Sequence, residues 1–250
     1  MHKTVVIDCF PESVERYQDG YAIVAVDVIR ATTTAITGVA AGRKCYPVPS
    51  LEMAVSTASR LERPLMAGEV GGDMPENFDL PNSPARLAAR KDVDRPMVLL
   101  STTGTRVIWA ARENASCYIA CLRNYRGVVR HLARNHTKVA VIGAGSRDEF
   151  REEDQLCCAW IARDLVAQGF TAGNQRTAEI INRWQSAPLN SFLISNSVAY
   201  LRRSGQMEDL DFVLSHVDDF PFAVELKGEQ LVVCGEEERL SVAVAAVQIN

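Results

Sequence analysis

The chain has 250 residues, 47% of them hydrophobic and 23% charged, with a formal net charge of −4. That length supports a sizeable core in one large α/β unit or two small ones, and the acidic balance argues against a nucleic-acid partner, which would want a basic face. The N-terminus MHKTVVIDCF lacks the apolar stretch of a secretory signal, and no apolar run is long enough to span a bilayer, so the expectation is a soluble, cytoplasmic protein with no membrane partner.

In chain order, TVVIDCF and YAIVAVDVI read as strands, and TTTAITGVAAG as a helix closing near Gly42. KCYPV is a short strand, and SLEMAVSTASRLE is a helix capped by Ser50. PLMAGE is a strand. After a long Gly/Pro-rich loop, SPARLAARK opens a helix with Ser83 as cap and Pro84 in the first turn. The alternation then continues with strand PMVLLS, helix TRVIWAARE, strand ASCYIACL, helix YRGVVRHLARN and strand KVAVIGAG. The segment EEDQLCCAWIARDLVAQG reads as a long amphipathic helix ending at Gly169. Residues 170–217 read as helix-rich and polar, with SFLISNSVAYLRRSG as one amphipathic helix. The end returns to strands in FAVEL, QLVVC and LSVAVAAVQI, the first two joined by a hairpin turn near Gly228.

Strand-then-helix alternation predicts an α/β fold with a mainly parallel sheet and flanking helices. No linker interrupts residues 1–250, so a single compact unit with no clean linear boundary is expected. VDVIRATTTA and LLSTTGTRVI both place hydroxyls where a strand meets a helix, a faint sign of repeated halves.

The cysteines (Cys9, Cys45, Cys117, Cys121, Cys157, Cys158 and Cys234) form no disulfide framework and read as free thiols. Cys117, Cys121, His131 and His136 make a C-x3-C-x9-H-x4-H pattern. Its central spacing is short for a zinc finger and its cysteines lie in an apparent core strand, so core thiols and surface histidines are the expected reading.

Ligands of open parallel sheets gather beyond the strands' carboxyl ends, and the unusual residues of this chain gather there too. Asp27 ends a strand, with Arg30, Thr32 and Thr33 leading into a helix. Free N–H groups, hydroxyls and a guanidinium suit a phosphate, while an adjacent carboxylate would repel it unless Mg²⁺ lay between them. The same residues equally suit a plain helix cap with Asp27 paired to Arg30. The stretch AGEVGGDMPENFDLPNSPA carries Glu69, Asn82 and Ser83, and LLSTTGTRV places Ser101, Thr102 and Thr105 around Gly104. No G-x-x-x-x-G-K-[ST] loop is present, and the GAG after KVAVI fails the dinucleotide pattern at Asp148. That loop still offers Gly145 and Ser146, then an acidic run that includes Glu153 and Asp154. No G-x-S-x-G elbow exists, and the histidines lie away from these loops apart from His216, so chemistry would rest on carboxylates and a hard metal.

Together VDVIRATTT, GE…FDLPNSP, TTGT and AGSRDEFREED, in that order, resemble the 2-phosphosulfolactate phosphatase family over most of the chain. The resemblance implies an α/β fold of two similar, intertwined halves. It also implies Mg²⁺-dependent release of phosphate from 2-phosphosulfolactate, a step of coenzyme M synthesis. Carried over by motif, Asp27, Arg30, Thr32 and Thr33 match the first segment, and Glu69, Asn82 and Ser83 the second. Thr102, Gly104 and Thr105 match the third, and Gly145, Ser146, Glu153 and Asp154 the fourth. Catalytic roles then fall on Asp27, Arg30, Glu69 and Glu153, and metal ligation on Asp27, Glu69 and Asp154. Phosphate or substrate binding falls on Thr32, Thr33, Asn82, Ser83, Ser101, Thr102, Gly104, Thr105, Gly145 and Ser146. Three positions depart from the family pattern: Val70 replaces an arginine, Pro81 a glycine and Thr103 an asparagine. The expected ligand is a small anionic phosphate ester, 2-phosphosulfolactate or a related phosphorylated acid. A homologue that binds anions without turnover is the alternative, and the oligomeric state, a homo-oligomer included, stays open.

Overall fold

The computed structural model describes residues 2–235. The strands are β1 (Thr4–Cys9), β2 (Ala22–Val26), β3 (Cys45–Val48), β4 (Leu65–Gly68), β5 (Leu80–Pro81), β6 (Met97–Leu100), β7 (Ser116–Ala120), β8 (Lys138–Gly143), β9 (Thr171–Ala172), β10 (Val224–Lys227) and β11 (Gln230–Val233). The α-helices are α1 (Ala31–Ala40), α2 (Leu51–Ala58), α3 (Pro84–Ala88), α4 (Gly104–Ala110), α5 (Tyr125–Asn135), α6 (Glu152–Ala167), α7 (Gln175–Trp184), α8 (Asn196–Arg203) and α9 (Met207–Ser215).

All strands join one 11-stranded sheet in the order β5-β4-β6-β3-β11-β10-β7-β2-β8-β1-β9. Two parallel wings, β5-β4-β6-β3 and β7-β2-β8-β1-β9, are bridged by the antiparallel β10–β11 hairpin. The chain lays down β1 and β2 in one wing, crosses to build β3 to β6, and returns for β7 to β9. The expected mainly parallel sheet with flanking helices is therefore present, as one continuous sheet rather than several. Gly228 sits in the hairpin turn at φ +60°, the left-handed conformation that glycine adopts without steric penalty.

One apolar cluster takes Ile23, Ala25, Ala140 and Ile142 from the first wing and Cys45, Ala67 and Leu99 from the second, with Ile36 of α1 and Ile108 of α4. Its makeup shows that the sheet's inner face wraps around these two helices. The opposite face of the first wing packs α5, α6, α7 and α8 through Tyr118, Val128, Leu156, Ile181 and Leu201. The strand residues between Ala22 and Val26 are all buried, which is why the segment reads as a continuous apolar run.

Several elements differ from the sequence reading. The helix expected over SFLISNSVAYLRRSG is broken: a 3₁₀ turn covers Leu189–Phe192, and α8 begins at Asn196. The break falls where the Ser195 hydroxyl accepts the Val198 N–H at 3.3 Å, and such a cap starts a new helix. The strand expected over LSVAVAAVQI lies outside the described residues. The edge strands β5 and β9, two residues each, are too short to carry a period. Cys117 and Cys121 belong to the inner cluster, while Tyr118 points the other way and its hydroxyl meets His131 Nε2 at 3.1 Å and His136 Nε2 at 2.9 Å. Alternation along β7 thus separates the thiols from the histidines, and no zinc site forms from them. No helix among the described residues is long and apolar enough to cross a membrane.

Candidate active site

A cavity of about 430 Å³ opens beyond the carboxyl ends of the strands, with Asp27, Arg30, Glu69, Asn82, Gly145 and Asp154 in its wall. The volume is within the range of about 300–1,000 Å³ common for small-ligand sites. Because the sheet wraps, loops after strands far apart in the sheet order, β2, β4, β6 and β8, meet there.

Asp27 follows β2 and is 7% exposed. Its Oδ1 accepts the Ala31 N–H at 3.1 Å, one of the free donors at the start of α1. Burial pushes its carboxyl up to about 7, the Ala31 hydrogen bond opposes this, Glu69 and Glu153 add to it, and Arg30 subtracts. Asp154, in the first turn of α6, accepts the Val28 N–H at 2.8 Å and so ties α6 to the strand-end segment holding Asp27. Its carboxyl is raised well above the usual aspartate range, first by burial, then by Asp27 and Glu153, with the Val28 and Gly145 N–H groups pulling the other way. These carboxylates repel one another in a poorly solvated place, a condition that a bound cation relieves.

Glu153 lies among the buried residues behind the wall. Burial raises its carboxyl, Ser197 and Ser195 lower it, and Oε2 has no hydrogen-bond partner. Glu69 organises a loop. Its Oε1 accepts the Thr102 N–H at 2.6 Å, and its Oε2 accepts the Thr102 hydroxyl at 2.8 Å and the Gly72 N–H at 2.7 Å. Arg30, with its side chain 4% exposed, donates through Nη1 to Asp209 at 2.5 Å and to Gln206. Its Nε and Nη2 have no protein partner among the described residues. Asn82 is buried in the wall with Oδ1 unpartnered, an acceptor left for a ligand.

The expected binding residues divide into two groups. Thr102, Asn82, Gly145 and Ser146 line the cavity; Thr32, Thr33, Ser83, Ser101, Gly104 and Thr105 do not. The Thr32 hydroxyl reaches the Asp27 and Ala120 carbonyls at 2.7 Å each, and the Thr33 hydroxyl reaches the Val28 carbonyl at 2.7 Å. Instead of contacting phosphate, these threonines pin the strand-to-helix corner, because a buried hydroxyl must spend its proton on the nearest carbonyl. Ser83 caps α3 and donates to Asp209 Oδ1 at 2.6 Å. Ser101 Oγ accepts the Thr105 N–H at 2.9 Å, and Thr105 Oγ1 accepts the Ser101 N–H at 3.0 Å, so the pair closes the entry to α4 upon itself. Gly104 acts by absence, since a side chain there would overlap Asp27 Oδ2. Gly145 has φ +62° and abuts Phe10, Cys9 and the Glu149 carbonyl, which leaves no room for a Cβ.

The fit of these residues to Mg²⁺ follows from their chemistry. Among the described residues no three carboxylate, histidine or cysteine groups form a metal-binding cluster, so no all-protein cage exists. Mg²⁺ is commonly held by only one or two carboxylates, with water and substrate phosphate completing the octahedron. Asp27 and Asp154 supply two buried oxygen donors of that kind, and the protonation of both is raised, first by burial and then by neighbouring carboxylates.

The sequence profile described as 2-phosphosulpholactate phosphatase matches residues 9–229, which spans every loop that builds the cavity. The chain belongs to this family. A protein of Pseudothermotoga lettingae called probable 2-phosphosulfolactate phosphatase is 32% identical over 193 residues, covering 77% of this chain and 84% of its own. A Thermus thermophilus protein of the same description is 32% identical over 212 residues, covering 82% and 87%. One from a Synechococcus species is 29% identical over 229 residues, covering 90% and 88%.

For this family member, residue types alone could not have pointed to Arg147, Arg151, Asn196, Tyr200 and Arg203 as lining residues. Asn196, Tyr200 and Arg203 stand at i, i+4 and i+7 of α8, a stripe visible only once the helix start is fixed at Asn196.

Proposed function

We propose that the chain is a Mg²⁺-dependent phosphatase acting on a small phosphomonoester of the 2-phosphosulfolactate type. The observation that carries this reading is the pair of buried carboxylates, Asp27 and Asp154, in the wall of a cavity shared with Arg30 and the unpartnered Asn82. The names of the relatives support the same substrate class. That all of the cysteines are free thiols supports a reducing, cytoplasmic setting.

Asp27 and Asp154 would hold Mg²⁺, which when bound supplies charge neutralisation of the phosphoryl group and of the oxygens entering and leaving phosphorus. Arg30 offers its unspent Nε–H and Nη2–H to phosphate oxygens, while Asp209 fixes the guanidinium through Nη1. That anchoring lowers the cost of ordering the side chain when substrate arrives. Glu69 holds the Gly71–Gly72 segment against Thr102 and so fixes the rim. Asp27, pushed up to about 7 by burial in the protein alone, would give up that proton when the cation binds its carboxylate. Gly104 keeps its approach open.

The test is release of inorganic phosphate from a panel of small phosphomonoesters, with Mg²⁺ or with chelator. The expected outcome is release that requires Mg²⁺ and is fastest with acid-bearing esters. Absence of release from every ester, with anion binding retained, overturns the enzyme reading in favour of a binding protein.

A further inference from the structure

Two turns of the same shape reach the cavity from different wings of the sheet. After β4, the Val70 N–H donates to the Asp73 carbonyl at 2.9 Å and the Asp73 N–H to the Val70 carbonyl at 3.2 Å. Gly71 and Gly72 between them have φ +66° and +102°. After β8, the Ser146 N–H donates to the Glu149 carbonyl at 2.9 Å and the Glu149 N–H to the Ser146 carbonyl at 3.1 Å, with Arg147 and Asp148 at φ +51° and +58°. Left-handed backbone at both central positions makes each a type I′ turn, a tight reversal closed on itself. Gly71, Gly72, Ser146, Arg147 and Glu149 all line the cavity.

Helix α8 joins the two turns. Asn196, its first residue, donates to both carboxylate oxygens of Glu149, at 3.1 and 2.9 Å. Tyr200, one helical turn further on, donates its hydroxyl to the Gly72 carbonyl at 2.7 Å. The approach is close, since a Cβ at Gly72 would stand 2.7 Å from the Tyr200 hydroxyl. The helix itself is fixed, because Val198 and Leu201 are fully buried in the cluster on the outer face of the first wing. The turn after β4 is held differently. Glu69 accepts the Gly72 N–H and Thr102 accepts the Gly71 N–H, both at 2.7 Å. Yet none of residues 70–79 is buried. A segment tied by hydrogen bonds without apolar packing opens at low free-energy cost. The bond from Tyr200 to Gly72 thus joins a rigid helix to a loosely packed turn at the edge of the cavity.

We infer that Tyr200 gates the cavity: its bond to Gly72 holds the turn after β4 over the ligand, and breaking that bond admits an ester and lets phosphate leave. This rests on the phosphatase reading for the identity of the ligand. Tyr200 is then a positioning residue that acts through Gly72 and not on the reacting atoms. The bond is made in the protein alone, so removing it lowers the barrier to entry and to exit alike and leaves the affinity nearly unchanged. A hydroxyl that gripped the ligand directly would behave otherwise: its loss would speed exit and weaken affinity by the same factor.

The test compares the intact protein with Tyr200→Phe, which keeps the ring and deletes the bond. Inorganic phosphate in the presence of Mg²⁺ is the probe, and phosphorus NMR line shapes give its entry rate, exit rate and Kd. Both rates should rise about two- to tenfold, the range for one neutral hydrogen bond, with Kd changed by less than about twofold. Hydrogen exchange across residues 70–79 should be faster in the variant, and phosphate should slow it in the intact protein. Unchanged rates overturn the gate, even if the denaturation midpoint falls, because a merely structural bond leaves entry untouched. Faster exit with Kd weakened by the same factor also overturns it and makes Tyr200 a ligand contact. So does failure of phosphate to bind the intact protein. If both rates rise yet no phosphomonoester is hydrolysed, the phosphatase reading fails and the gate stands. If esters are hydrolysed while the rates stay the same, the gate fails and the phosphatase stands.

Discussion

Gly104, at the start of α4, gives up its side-chain space to the carboxylate of Asp27, which reaches it from the end of β2. The two residues belong to loops after strands that are not neighbours in the sheet, so the contact ties the wings together at the cavity. It also gives a clean steric prediction. Alanine is a better helix former than glycine by roughly 1 kcal/mol, so on propensity Gly104→Ala should stabilise. The overlap with Asp27 should reverse that sign, with a loss of about 1–3 kcal/mol typical of overpacking, and should cut phosphate release at least tenfold. Chemical denaturation and a phosphate assay check both halves; a stabilised and fully active variant would remove the contact's significance.

Asp27→Asn keeps the shape and removes the charge. It should abolish most Mg²⁺-dependent release while leaving the circular dichroism spectrum and cooperative unfolding intact. Because the buried carboxylate is unfavourable without a cation, the variant should be no less stable than the parent in chelator. Full activity at ordinary Mg²⁺ would exclude Asp27 from the metal site.

The raised protonation of Asp27 has a sign in stability. Between the ordinary aspartate value and about 7, the native state keeps a proton that the unfolded chain has released. Native protein binds more protons there, so stability in chelator should fall as pH rises across that interval and level off above it. Asp154, raised by the same burial and by Asp27, adds in the same direction. Mg²⁺ binds the ionised pair, so the rise in Tm on adding Mg²⁺ should be larger at pH 8 than at pH 5. Melting curves with chelator and with Mg²⁺ read this directly, and an equal rise at both pH values would contradict it.

Asp209 is fully buried and accepts from Arg30, from the Ser83 hydroxyl and from the Ala85 N–H at 3.2 Å. Asp209→Ala strands the Arg30 charge and those donors together. The expected cost is about 3–5 kcal/mol, the range for breaking a buried ion pair by deleting one partner. Urea denaturation measures it, and a change below about 1 kcal/mol would show that Arg30 finds another partner.

Thr32 separates a structural from a ligand-binding role. Thr32→Ser keeps the hydroxyl bridge between the Asp27 and Ala120 carbonyls and should retain activity. Thr32→Val deletes it and leaves the Asp27 N–H without its acceptor, which should cost about 1–3 kcal/mol. Denaturation midpoints of the two variants are the measurement. Equal stability with a selective loss of phosphate affinity would restore Thr32 to the binding surface.

The alternation of apolar runs and amphipathic segments was enough to determine a mainly parallel α/β architecture, the Ser50 and Ser83 caps and the Gly228 turn, because these depend on neighbours a few residues away. The motifs around Asp27, Glu69, Gly104 and Asp154 were legible too, as residue types concentrated at strand ends. Only the tertiary structure decided which of them face the cavity. Thr32, Thr33, Ser83 and Thr105 look like ligands in the sequence, yet each hydroxyl is consumed by a backbone or carboxylate partner brought to it by folding. Arg30 looked paired with Asp27 in the plain helix-cap reading, and is held instead by Asp209, which is 179 residues away in the chain. Arg147 and Arg151 stand inside the AGSRDEFREED motif without any local sign that they face the cavity, and Arg203 carries no local signal at all. Their meeting depends on how the sheet wraps and where α8 starts, and a sequence pattern reports period and capping, not which distant surfaces close on the same space.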